Sequence, residues 1–208
     1  MRRNKRQMTG FTWLAALTLV LTGFGPAQAE VILPTDARGI RQLPGQSPSL
    51  LSFLAINSSI EDRTVIAFDI RGLSGVVPMT TLDLNLLNLD PGGPAGVIDV
   101  FTFAGTGTIT PDLFSAGTFF TSFDNNQSGL EHVEVTAALQ AAVNSGDPFL
   151  DFRLSTTTSD RYFLGPPFTA DGPTLTVVPE PATITLLAIG IAGMAGYAWR
   201  RKKVAAAV

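Results

Sequence analysis

The sequence predicts an all-β fold: an antiparallel β-sandwich of jelly-roll type with one short helix, bracketed by an N-terminal signal helix and a C-terminal transmembrane helix. Three observations carry this expectation. Between residues 49 and 178, apolar residues recur at every second position in several short runs, as strands with one buried face require. Gly, Pro, Asn and Asp collect between those runs, where the chain must reverse. Uncharged apolar stretches lie towards both ends, each set off from the middle by proline.

Arg2, Arg3, Lys5 and Arg6 form a basic head, and Phe11 to Phe24 an apolar segment. Ala27-Gln28-Ala29 is an A-x-A cleavage site, so residues 1–29 read as a Sec-type signal peptide that leaves Glu30 as the new N-terminus. Gly23, Gly25 and Pro26 break the apolar run, which argues against an uncleaved anchor. The residues after Arg2-Arg3 do not continue a twin-arginine motif. Residues 30–48 read as an N-terminal linker and 49–178 as the sandwich.

Within the sandwich, Ile66, Phe68 and Ile70 share one face of a strand over 64–70. Leu82, Leu84 and Leu86 alternate with Asp83 and Asn85, and 97–103 reads as a further strand. Val133 and Val135 alternate with His132, Glu134 and Thr136. Leu150, Phe152 and Leu154 alternate with Asp151, Arg153 and Ser155, and 174–178 closes the series. Turn residues cluster at 90–94 and at 124–126. The helix falls over 136–143, with Leu139 and Val143 on one face, Thr136 as N-cap and Gly146 near its stop.

The C-terminal segment is the most specific. Pro179 and Pro181 forbid regular helix and keep Glu180 extended. Ala182 to Trp199 carries no charge, and its length is near the lower end for a bilayer span. Tyr197 and Trp199 suit the headgroup level, and Arg200, Arg201, Lys202 and Lys203 stay on the cytoplasmic side. Gly190, Gly193 and Gly196 lie three apart, a small-residue face that suits close helix approach as well as ordinary membrane-helix usage. Residues 179–203 together resemble the PEP-CTERM sorting signal of Gram-negative bacteria, followed by a short tail, 204–208. The resemblance implies recognition by the membrane transpeptidase exosortase, with this chain as its substrate. It also implies an inner-membrane sorting intermediate, then the cell surface or extracellular matrix. Expected partners are the Sec translocon and signal peptidase, exosortase, membrane lipid and extracellular polysaccharide.

Composition narrows the middle. Up to Glu180 the exported part holds six arginines, no lysine and all seventeen acidic residues, a net charge of −11. Such a surface argues against nucleic acid and anionic lipid as partners. The chain has no cysteine, which removes disulfides, thiol nucleophiles and thiolate metal sites. His132 is the single histidine, too few for the usual zinc ligand set.

The arrangement also resembles the DNRLRE-type domain of bacterial surface proteins. Arg63 to Ile70 is similar to that family's early strand, in which a basic residue leads an apolar stretch ending in Phe-Asp. Val133-Glu134-Val135-Thr136 looks like its turn into a helix, with Glu134 where the family more often has Asp. Phe152-Arg153-Leu154 through Phe163 resembles its closing strand pair. The resemblance covers residues 50–178 and implies a link to carbohydrate-associated surfaces, with no catalytic residues and no cofactor.

Candidate sites are weighed against plainer readings. Asp69 is placed to pair with Arg71 or Arg153. Asp90, Asp99 and Asp112 adjoin Gly/Pro-rich loops but lack a Ca²⁺-loop pattern, so they read as solvated acids and no metal site is expected. Glu131, His132 and Glu134 lack a nucleophile motif, and Glu131 with Glu134 is a chance pair for glycoside hydrolysis. Trp13 and Trp199 lie in the terminal segments, so a sugar surface would centre on Tyr162 with Arg161 and Asp160. Phe119, Phe120, Phe123, Phe163 and Phe168 read as core. Two functions result: a non-enzymatic surface or matrix protein, and alternatively a lectin-like or polysaccharide-acting protein with the same address.

Overall fold

Paired strands of this chain set core residues opposite one another: Ile66 faces Phe152, Phe68 faces Leu150, and Leu82 faces both Leu175 and Val133. The computed structural model describes residues 29–88, 96–125, 128–158, 161–169 and 171–178, with Gly190, Gly193 and Met194 beyond them. The strands are β1 (Glu30–Ile32), β2 (Asp36–Arg41), β3 (Ser49–Leu51), β4 (Ala55–Asn57), β5 (Asp62–Asp69) and β6 (Met79–Asn88). They continue as β7 (Gly96–Ala104), β8 (Thr118–Asn125), β9 (Gly129–Glu134), β10 (Phe149–Thr156), β11 (Arg161–Leu164) and β12 (Thr174–Val178). A 3₁₀ turn (Pro111–Ser115) and the helix α1 (Thr136–Ser145) complete the order. Residues 29–178 form one compact unit.

The strands divide into two layers. In the first, β6 is bordered on one side by β9, and on the other by β12 along residues 79–83 and β11 along 86–88. Beyond β12 lies β1, and beyond β11 lies β4. The second layer runs β8-β7-β10-β5-β2-β3. A single pair, Asn57 opposite Asp62, joins β4 to β5 and makes the two layers continuous.

The layers meet through one apolar core. Ile66, Phe68, Val100, Phe152 and Leu154 of the second layer pack in one cluster with Leu82, Leu84, Leu86, Val133 and Leu175 of the first. Phe68 and Phe152 meet edge to face, with centroids 5.9 Å apart. Residues 29–178 are therefore all-β, antiparallel and sandwich-like, with one α-helix among the described residues of that unit. The helix buries Leu139 and Ala142 in the same cluster. It ends at Gly146, whose left-handed φ of 74° turns its N–H back onto the carbonyls of Ala142 and Val143.

The second layer is buried on its outer face as well. Ile40, Val65 and Ala67 form a smaller cluster with Ile109 and Phe114, which belong to the segment crossing over that face. The alternating residues of β10 are thus buried on both sides: Leu150, Phe152 and Leu154 inward, Asp151 and Arg153 outward.

Several expectations are corrected. Residues 30–48 are not a linker: β1 and β2 lie there, and β2 pairs with β5 along its whole length. The Arg38-Gly39-Ile40-Arg41 stretch hides this, because Gly39 blanks the apolar rhythm and Arg41 is held by Asp62 at 2.6 and 2.8 Å. Thr136 is not the N-cap. Val135 occupies that position, while the Thr136 hydroxyl accepts from the Thr80 N–H at 2.9 Å and so ties α1 to β6. Apart from Ala29, Gly190, Gly193 and Met194, the expected signal and transmembrane helices lie outside the described residues, as do Ala27 and the 90–94 turn. Among the described residues no helix is long and apolar enough to cross a membrane.

Phe152 is fully buried in the cluster that joins both layers, so Phe152→Ala should lower the unfolding free energy by about 3–5 kcal/mol. Denaturant unfolding followed by far-UV circular dichroism checks this.

Candidate functional site

The end of the folded unit is built as an internal strand. β12 pairs with β6 from Thr174 to Val178 and with β1 from Leu175 to Val177. Thr174, Thr176 and Val178 alternate with buried Leu175 and Val177, so the strand is anchored by side chains as well as by its ladders. On the other side, Glu30 lies opposite Val177, and Ala29 and Glu30 are exposed. The first residue expected after signal cleavage therefore sits beside the last strand residues before Pro179. Pro179, Glu180, Pro181 and the cluster Arg200, Arg201, Lys202 and Lys203 lie outside the described residues.

Tyr162, the expected centre of a sugar surface, is not on the surface. In β11, Arg161 and Phe163 face out while Tyr162 and Leu164 face in. Tyr162 is fully buried, and its hydroxyl donates to the Asn125 carbonyl at 2.7 Å. The ring is large apolar area, and the one polar atom finds a backbone acceptor, so the core accommodates it. Arg161 is exposed, and Asp160 lies outside the described residues. The accessible aromatic on this strand is Phe163, edge to face with Phe53 at 5.4 Å. Near them the bidentate Arg41–Asp62 pair lines a small open pocket.

Across β12, β6 and β9 runs a polar track. Thr176 Oγ1 donates to Asp83 Oδ2 at 2.5 Å, and Asp83 Oδ1 lies 2.7 Å from His132 Nδ1. The carboxylate stands between hydroxyl and imidazole. A nucleophile–base pair needs the imidazole on the hydroxyl itself, so this order cannot activate Thr176 through His132. Glu131 and Glu134 occupy opposite faces of β9, which removes them as a pair flanking one bond. Asp69 pairs with Arg71, not with Arg153. The Arg71 hydrogen bonds hold its carboxyl down at about 2. Asp112 is exposed and Asp99 half-buried.

One group escaped the sequence reading. Asp151 is fully buried on the outward face of β10, and neither carboxylate oxygen has a hydrogen-bond partner among the described residues. Burial, with the nearby Asp36 charge second, raises its carboxyl from 3.8 to about 7. The covering segment is pinned by two arginines. Arg63 Nη1 donates to the Phe114 carbonyl at 2.6 Å and stacks on that ring, 3.9 Å from its centroid. Arg153 Nε donates to the Ala116 carbonyl at 2.6 Å and stacks 3.8 Å above Phe101. Burial, then Arg63, lowers Arg153 to about 10. The sequence marked Asp151 and Arg153 only as outward residues of a strand. Nothing in its periodicity said that the outward face is covered.

Comparison with known families identifies one segment. Residues 177–202 match the PEP-CTERM protein-sorting motif. The match begins within β12, at the residue opposite Glu30. No curated protein matches the chain.

The raised Asp151 carboxyl fixes a pH dependence. The folded state keeps a proton that the unfolded state has already released, so stability should fall as pH rises from about 4 to about 7 and then level. Asp151→Asn should remove most of this decline. Urea unfolding across that range, in monovalent salt only, checks it: equal slopes for the two proteins would contradict the assignment.

Proposed function

We propose that this chain is a non-enzymatic surface or matrix protein, exported through the Sec route and held in the inner membrane until exosortase processes it at Pro179-Glu180-Pro181. The sorting motif at 177–202 carries the reading, since it makes the chain an exosortase-targeted protein bound for the cell exterior. The finer steps rest on the sequence: an A-x-A site at Ala27 and Ala29, an uncharged stretch from Ala182 to Trp199, and a basic stop at Arg200–Lys203.

The mechanism is presentation. A protease grips extended backbone whose hydrogen-bonding groups are free. Residues up to Val177 are engaged on both sides, and Val178 still pairs with Met79. Pro179 then removes a donor and fixes an extended path. The finer reading is a DNRLRE-like, jelly-roll-like unit: Arg63–Asp69 lies in β5 and Glu134 leads into α1, whereas Phe152–Phe163 spans β10 and β11, which lie in different layers and do not pair. A second reading, binding of extracellular polysaccharide, is favoured by exposed Phe53 and Phe163 beside the Arg41–Asp62 pair. It moves any sugar contact away from the Tyr162 ring.

Glu180→Ala, or deletion of Arg200–Lys203, should leave the protein unprocessed in the inner membrane of a host that carries exosortase. Fractionation with an ectodomain antibody reads this out. Processing and surface delivery at the normal rate in both variants would refute the sorting mechanism. A glycan array separates the second reading: binding weakened tenfold or more by Phe163→Ala supports it, and absence of any binding removes it.

A further inference from the structure

We propose that Asp36 and Asp151 form a Ca²⁺ site on the outer face of the second layer, closed by the segment that follows β7. The register sets the geometry. Asp36 pairs with Ala67, and Ala67 pairs with Asp151, so the three side chains share one row on one face. Two strand spacings separate the carboxylate-bearing backbones, about 10 Å. The residue between them is alanine, a small side chain that is buried under Ile109 and Phe114 of the covering segment.

The segment after β7 closes over this row. The Ile109 N–H donates to Asp36 Oδ2 at 3.1 Å. Gly105 lies against Asp151 so closely that a Cβ there would overlap its carboxylate. Asp36 Oδ1 also accepts from Arg38 Nε at 3.0 Å, and that guanidinium is half exposed on the rim. Each of these Asp36 oxygens keeps a second lone pair.

The second observation is independent of the clustering. Asp151 is completely buried, yet neither of its oxygens meets a donor among the described residues. A buried carboxylate is tolerated when it is paired or coordinates a metal. No arginine reaches it: Arg63 and Arg153, on the same face, are committed to the Phe114 and Ala116 carbonyls. The donors are all oxygen, with no histidine or cysteine, which selects a hard cation. No cluster of three acidic or histidine side chains occurs among the described residues. Backbone carbonyls and water would complete the shell, the composition of weak extracellular Ca²⁺ sites, with Kd about 10⁻⁴ to 10⁻³ M. Mg²⁺ holds its waters and demands strict octahedral geometry, so it fits this closed row less well.

The test uses the full-length protein in detergent, stripped with chelator. Equilibrium dialysis against CaCl₂ should give one bound Ca²⁺ per chain with a Kd in that range, and MgCl₂ should compete at least tenfold less well. Asp151→Asn should abolish binding and Asp36→Asn should weaken it at least tenfold, while Asp112→Asn leaves it unchanged. Asp36→Asn keeps Asp151 in place and therefore decides the matter if Asp151→Asn does not fold. No retained Ca²⁺ in the wild type would overturn the site and leave Asp151 as a buried proton carrier only. Wild-type binding in both Asp36→Asn and Asp151→Asn would place the ion elsewhere and overturn it equally.

Discussion

Burial between two antiparallel layers is the constraint from which the rest of this structure follows. The chain has no cysteine, so no covalent link limits its unfolded state. The stabilising surface is the inner face, where Ile66, Phe68, Phe152 and Leu154 meet Leu82, Leu84, Leu86 and Leu175. Each apolar side chain of that size contributes about 1.5–3 kcal/mol when fully buried. Register follows from this requirement, because a slip of one residue in any of these strands would turn its whole apolar set outward.

The same layers explain where polar groups are found. The first layer leaves its outer face wet, and there Thr176, Asp83 and His132 hydrogen-bond in a line across three strands. The second layer is covered on its outer face, and the polar residues there must find partners in the cover. Arg63 and Arg153 do so by donating to carbonyls and lying flat on phenylalanine rings, which suits a planar, weakly hydrated cation. Asp151 is the exception on this face. The closing pair of strands, β12 with β1, carries the constraint to the sorting motif: buried Leu175 and Val177 hold β12 to its last residues.

Legibility from sequence tracked how cleanly each strand alternates. Strands β6, β9, β10 and β12 are legible because one face is apolar and the other polar, and β5 and β7 because their runs are rich in β-branched and aromatic residues. Strands β1 and β3 were not, since three residues are too few to show a period. β2 was hidden by Gly39 and two arginines, and β8 by Phe119, Phe120 and Phe123, which fall on both faces. The stop of α1 was readable because Gly146 adopts the left-handed turn that glycine favours, whereas its start was misread because Thr136 spends its hydroxyl on Thr80. At the sites, the hydroxyl of Tyr162 masks in the sequence a large apolar ring that belongs to the core. Asp151 was passed over because a period of two reports a direction, not what covers it. The sorting segment was legible since its signal lies in composition and order rather than in tertiary contacts.

On the proposed function, residues 30–178 are folded cargo between two transport segments. Intact-mass analysis of the protein recovered from the outside of cells tests it most directly. The expected species starts at Glu30, retains Val178 and lacks residues 182–199. A single species running from Met1 to Val208, recovered from the soluble cytosol, would contradict it.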